Sequence, residues 1–238
     1  MSLHKDKGFT LVEISIVMII IGLLIGGVFG GMKLVDNANV QKTVQDIKAI
    51  ESSTLIFRDT YRALPGDIRT PNNRISNCIA NPCADGGDGN RQIGVPLVGG
   101  AISNTDENFT FWHHLQAANL ISMDYSNTLS MEFGEGAPSA PIGGGYRISS
   151  ITGGMGFCLT QFTGAQISVV GLPSADWTSA GGPTISCNLI RGVDTKMDDG
   201  RPASGMMIGG WGCEATGACN SEWPNGGVGV LWYDLRGF

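Results

Sequence analysis

Lys7-Gly8-Phe9-Thr10-Leu11-Val12-Glu13 opens onto nineteen consecutive uncharged positions, Ile14 to Met32, and eleven of these are Ile, Leu, Val or Phe. As a helix rising ~1.5 Å per residue, the run would be about 28 Å long, close to the thickness of a bilayer's hydrocarbon core. At roughly 0.3–0.6 kcal/mol per large apolar side chain, insertion gains about 3–7 kcal/mol. A carboxylate costs about 2.5–3.5 kcal/mol even at the bilayer centre, so insertion wins despite Glu13. Lys5 and Lys7 precede the run and predict a cytoplasmic N-terminus with the remainder exported. A conventional signal peptide would instead need a small-residue cleavage site after the apolar stretch. Gly26-Gly27-Val28-Phe29-Gly30-Gly31 leaves that alternative open, but it does not explain an acid at the entrance of the run.

The order of these features resembles the type IV prepilin motif shared by pilins and type II secretion pseudopilins: a short basic leader ending in Gly8, then Phe9, then Glu13 as the fifth residue, then an apolar helix. The clear resemblance covers roughly residues 1–65. It implies cutting between Gly8 and Phe9 by a membrane prepilin peptidase, which then methylates the Phe9 amine. Loss of Lys5, Asp6 and Lys7 would remove one net positive charge and take the chain from −6 to −7. The resemblance also implies an assembly role for Glu13. A carboxylate in an apolar bundle needs a partner, and the Phe9 amine of a neighbouring subunit would supply one and fix the axial register. The plainer reading leaves Glu13 solvated at headgroup level. Many relatives carry a Pro in this helix. Here Gly22, Gly26, Gly27, Gly30 and Gly31 stand instead, consistent with close helix packing or with local melting in a filament.

Beyond the membrane run, Val40, Val44, Ile47, Ile50, Thr54, Phe57 and Tyr61 recur at steps of three or four and mark one buried stripe. Asp36, Lys42, Gln45, Asp46, Lys48, Glu51, Arg58 and Asp59 mark a wet face, and Leu64-Pro65-Gly66-Asp67 supplies a stop. The spacing predicts one helix from about Phe9 to Ala63. The resulting organisation is a leader at 1–8, a long helix at 9–64 with 9–33 as transmembrane segment and filament core, and an exported head at 65–238. The fold class is α+β: the long helix packs on a C-terminal antiparallel sheet whose long loops are tied by disulfides.

Gly, Asn, Asp and Pro crowd residues 66–110, which read as an extended loop. Phe111–Ile121 reads as a short helix capped by Asn108 or Thr110, with His113 and His114 as surface or core histidines, because neighbours on a helix point apart. Thr128–Phe133, Gly145–Ile151, Gly156–Phe162, Gln166–Val170 and Val228–Tyr233 read as strands, and Cys187–Val193 as a helical turn. The six Cys are even in number and lie far downstream of the apolar run. Proximity pairs Cys78 with Cys83 and Cys213 with Cys219, leaving Cys158 with Cys187. Free thiols or a zinc site are the alternatives, and export favours disulfides.

Two stretches carry clustered acids. Asp85-Gly-Gly-Asp88-Gly-Asn90 sets side-chain oxygens at short spacing, which suits calcium or a plain turn. Val193 to Gly205 resembles a C-terminal loop of many pilin-like heads, where some relatives bind calcium. Asp194, Asp198 and Asp199 are its hard oxygen donors. The alternative is a solvent-facing Asp-Gly turn. Trp211, Trp223 and Trp232 lie among glycines in the tail and read either as core anchors or as a contact surface.

Enzyme signatures such as a nucleophile elbow, a zincin helix or a P-loop do not occur, and the net charge of −6 without a basic cluster does not indicate nucleic-acid binding. The reading is a structural subunit of a type IV pilus, secretion pseudopilus or competence filament. It would sit in the inner membrane as a single span, then in an extracellular or periplasmic filament. Its partners would be pilin-like subunits in a homo- or hetero-polymer, the peptidase-methyltransferase and a membrane assembly platform. The runner-up is a minor tip subunit whose head binds a surface or another protein.

Overall fold

The structure is a computed structural model that describes residues 10–94, 106–122, 130, 132–151, 164–171, 185–210 and 227–235. The leader, the Gly8–Phe9 junction, half of Thr128–Phe133, all of Gly156–Phe162, and Cys158, Trp211, Cys213, Cys219 and Trp223 lie outside the described residues. Two compact units divide the chain, Met1–Ala38 and Asn39–Phe238.

Helix α1 runs from Leu11 to Tyr61. In the first unit every residue from Thr10 to Ala38 is exposed, including the whole run of Ile, Leu, Val and Phe. Among the described residues it is the one helix long and apolar enough to cross a membrane. In the second unit the character of α1 changes. Val40, Ile47, Ile50 and Phe57 join the hydrophobic core, with Thr43 and Thr54 buried beside them and Val44 and Tyr61 half-buried at the margin. Thr43 and Thr54 return their hydroxyls to the carbonyls of Asn39 and Ile50, so neither buries an unsatisfied donor. The helix ends where Arg62 takes φ 53° and Leu64-Pro65 turns into the core.

Five antiparallel strands form the sheet against this half of α1: β1 Gly145–Ile151, β2 Gly164–Val170, β3 Ile185–Ser186, β4 Met207–Gly210 and β5 Val228–Asp234. The order is β1-β2-β5-β3, with β4 also paired to β5. Registers such as Ile148↔Ile167 and Ile167↔Tyr233 place Tyr146, Ile148, Ile167, Val169, Leu231 and Tyr233 on the core face. Tyr146 and Tyr233 reach across to the helix, donating to Asp46 Oδ2 (3.3 Å) and Glu51 Oε2 (2.9 Å). Trp232 is buried, so this tail aromatic is an anchor.

The short helix α3 spans Glu107–Ala117, not 111–121. Asn108 and Thr110 do not cap it; they lie inside its first turn and are buried. The reason is tertiary: Asn108 Nδ2 donates to the Ile148 carbonyl at 2.6 Å, so its amide serves the sheet. The helix ends in a Schellman motif. Asn119 adopts φ 57°, while Leu120 N–H returns to the Leu115 carbonyl and Asn119 N–H to that of Gln116.

Residues 66–94 are less extended than their composition suggests. One helical turn, α2 Pro71–Arg74, and the Cys78–Cys83 disulfide shape the segment, and Ile68, Ile75 and Ile93 sink into the core. Cys187, the first residue of helix α4 (Cys187–Met197), is also disulfide-bonded, to a cysteine outside the described residues. His114 clips this loop down. Its Nδ1 accepts the Gly66 N–H at 2.7 Å and its Nε2–H donates to the Cys83 carbonyl at 2.9 Å, which requires the neutral ring. Burial lowers its pKa to about 4, with His113 adding to the effect and the Cys83 carbonyl opposing it.

This pKa carries a sign. Below about pH 6.5 the unfolded chain takes a proton at His114 that the folded chain refuses until about pH 4, so the group's contribution to stability is lost as pH falls through that window. The stability difference between the wild type and His114→Gln should therefore grow by on the order of 3 kcal/mol from pH 4 to pH 6.5 and stay flat above pH 7. Denaturant unfolding in detergent measures it; a difference independent of pH would contradict the clip.

Candidate functional site

At the entrance of α1, Thr10 and Glu13 form a capping box. Thr10 N–H and Oγ1–H both donate to Glu13 Oε2 at 2.8 Å, and Glu13 N–H donates to Thr10 Oγ1 at 3.2 Å. Two first-turn donors are thus satisfied within the chain, and one carboxylate oxygen does the work. Oε1 has no protein partner among the described residues and remains available. The Thr-x-x-Glu pattern was present in the sequence, but only the assembly role of Glu13 was drawn from it.

Five glycines, Gly22, Gly26, Gly27, Gly30 and Gly31, sit on the exposed part of α1. A Cβ built at any of them would meet open space. The chain's own packing therefore does not require glycine there, although each lowers helix stability by ~1 kcal/mol relative to Ala.

The second site is the acidic loop after α4. Asp194 lies on the helix and is fully buried; Asp198 and Asp199 follow its end. One oxygen of each lies within 4.8 Å of the others. Asp198 Oδ2 accepts the N–H groups of Met206 and Met207 (3.0 Å for Met207). Asp199 accepts from Arg201 N–H at 2.8 Å and from the Ser204 hydroxyl at 2.5 Å. Gly205, at φ 87°, closes over Asp198 where a side chain would collide with its carboxylate. The loop is thus built around its carboxylates. Neither oxygen of Asp194 has a hydrogen bond of ordinary geometry among the described residues. Its pKa is raised to about 7, first by burial and then by the charges of Asp199 and Asp198, with the Gly200 amide opposing them. A buried, unsatisfied carboxylate beside two others fits a hard cation such as calcium.

The other acidic stretch is arranged differently from its sequence order. Asp88 accepts from Asn90 N–H (2.9 Å) and Asn90 Nδ2 (2.8 Å), and Asn90 Oδ1 accepts from Gln92 N–H (2.6 Å). Asp85 takes no part in this cluster. The carboxylates that approach Asp88 are Asp67 and Glu107. The disulfide consumes the thiols of Cys78 and Cys83, so their proximity to His114 is structural.

Comparison with known families adds one finding: residues 3–29 match the family described as the prokaryotic N-terminal methylation motif. This stretch is a type IV pilin class III signal peptide. The motif implies processing by a prepilin peptidase and polymerisation of a pilin-like or pseudopilin-like precursor. No curated protein and no solved structure matches the chain.

Thr10→Ala removes the cap on α1. A loss of about 1 kcal/mol should speed amide exchange at Glu13 and Ile14 roughly fivefold in detergent micelles while leaving Val40–Phe57 protected. Unchanged exchange at the first turn would show that the box does not hold the helix start.

Proposed function

We propose that this protein is a structural subunit of a type IV pilus-like or secretion-pseudopilus filament, cut after Gly8 and assembled through the first part of α1. The observation that carries the reading is the methylation motif leading into a helix whose apolar side chains from Leu11 to Val35 are exposed among the described residues. Uncovered apolar surface of that size needs a membrane or neighbouring helices. Subunits leaving the membrane would exchange lipid for one another. The five glycines support close approach of such helices, since small residues let backbones pack tightly.

Glu13 supplies register. Thr10 holds Oε2, and Oε1 is presented to the Phe9 amine of the next subunit. The pair neutralises a charge that would otherwise be costly among apolar helices. Calcium in the loop of Asp194, Asp198 and Asp199 forms part of the proposal. It would neutralise three adjacent carboxylates and fasten the end of α4 to the start of β4.

In cells with a cognate peptidase, the mature N-terminus should be methylated Phe9. Glu13→Ala should be cut and membrane-bound yet at least tenfold depleted from sheared filaments, and normal filament yield from that variant would refute the register role. For the loop, Asp194→Asn should melt above the wild type without calcium, by about 2–4 °C per kcal/mol of repulsion relieved, and should gain little when calcium is added. A wild type that gains nothing from calcium removes the ion.

A further inference from the structure

The loop after α1 holds a second carboxylate group that sequence order conceals. Asp67 follows the Leu64-Pro65-Gly66 turn, Asp88 lies in the Gly-rich stretch, and Glu107 opens α3. One oxygen from each falls within 4.8 Å of the others. Backbone amides orient all three: Glu107 Oε1 accepts from Asp88 N–H (2.9 Å), Glu107 Oε2 from Gly94 N–H (2.7 Å), Asp67 Oδ2 from Arg91 N–H (2.9 Å) and Asp88 Oδ1 from Asn90 N–H (2.9 Å). Gly87 passes between them, where a Cβ would strike Glu107 Oε1, the Asp67 backbone and the Gly66 carbonyl. The loop therefore closes over the group only as glycine.

An independent observation shows that the group is incomplete. Asp67 is 2% exposed, yet its Oδ1 is buried without a hydrogen-bond partner among the described residues. Nor does any of the three carboxylates form an ion pair with Lys or Arg among them. Arg69, the nearby cation, spends its Nε–H on the Asp88 carbonyl at 2.7 Å. Three carboxylates, one of them deeply buried with one oxygen unpartnered among the described residues, repel one another unless a positive charge joins them.

We infer that Asp67, Asp88 and Glu107 form a binding site for a hard divalent cation, calcium foremost. All three donors are carboxylate oxygens, with no thiolate or imidazole in the group, which disfavours the softer transition metals. The site shares no residue with the Asp194 loop. A bound ion would tie the start of the 66–94 loop, its Gly-rich turn and the first turn of α3 to one point. The same loop is clipped by His114 and the disulfide, so the ion would be its third fastening.

Full-length protein in detergent micelles, dialysed against about 1 mM calcium, gives calcium per chain by atomic emission. Asp88→Asn changes an exposed side chain and keeps the core intact; Asp67→Asn tests the buried donor; Asp194→Asn reports on the other loop. Asp88→Asn and Asp67→Asn should each hold about one ion fewer than the wild type, while Asp194→Asn keeps that ion. A wild type without calcium overturns the inference. So does an Asp88→Asn protein holding as much calcium as the wild type, or a loss confined to Asp194→Asn. That last result would still support calcium in the other loop. Should Asp67→Asn fail to fold, Asp88→Asn decides alone.

Discussion

Apolar helix surface that the chain itself never covers is the constraint on which everything else depends. From Leu11 to Val35 the apolar side chains of α1 are left exposed among the described residues, and water is the one surrounding they cannot keep. The methylation motif matched at residues 3–29 implies processing by a prepilin peptidase, and in the proposed reading the cut precedes the helix, so that the segment stays with the protein. Glu13 then becomes meaningful. In the single chain its carboxylate caps the helix through Thr10 and leaves one oxygen unused. A group half-satisfied at the mouth of an apolar helix is poised for one further partner.

The head solves the opposite problem. It must hold long polar, Gly-rich segments around a modest core, and it does so with point fastenings. His114 bridges Gly66 and Cys83 as a neutral ring, the Cys78–Cys83 bond closes the loop beside it, and Tyr146 and Tyr233 tie the sheet to the wet edge of α1. Two carboxylate groups, one in each loop region, stand out against this economy because each buries a carboxylate oxygen without a hydrogen-bond partner among the described residues. Fastenings of this kind add constraint where apolar area is scarce.

Features fixed by local pattern were legible in the sequence. The stripe from Val40 to Phe57 needs only its own 3.6-residue period, and β1, β2 and β5 fall where β-branched and aromatic residues alternate between glycines. The Asp194 group was legible because α4 and its turn bring near neighbours together. What escaped depends on distant residues. Asn108 looked like a cap until the Ile148 carbonyl claimed its amide. Asp88 looked like a partner of Asp85 and Asn90; Asn90 does bind it, but the carboxylates that approach it are Asp67 and Glu107. Residues 66–110 read as an extended loop, yet Ile68, Ile75 and Ile93 sink into the core beside the disulfide and the His114 clip. The Thr10–Glu13 box is different, being a visible local pattern overshadowed by the motif around it.

The most direct measurement is helical reconstruction of filaments from the source cell at a resolution that shows side chains. The account predicts α1 of every subunit bundled at the filament axis, with Glu13 within ion-pair distance of the Phe9 amine of an adjacent subunit. Filaments lacking this chain, or containing it with residues 11–35 facing solvent and Glu13 remote from any neighbouring N-terminus, would contradict it.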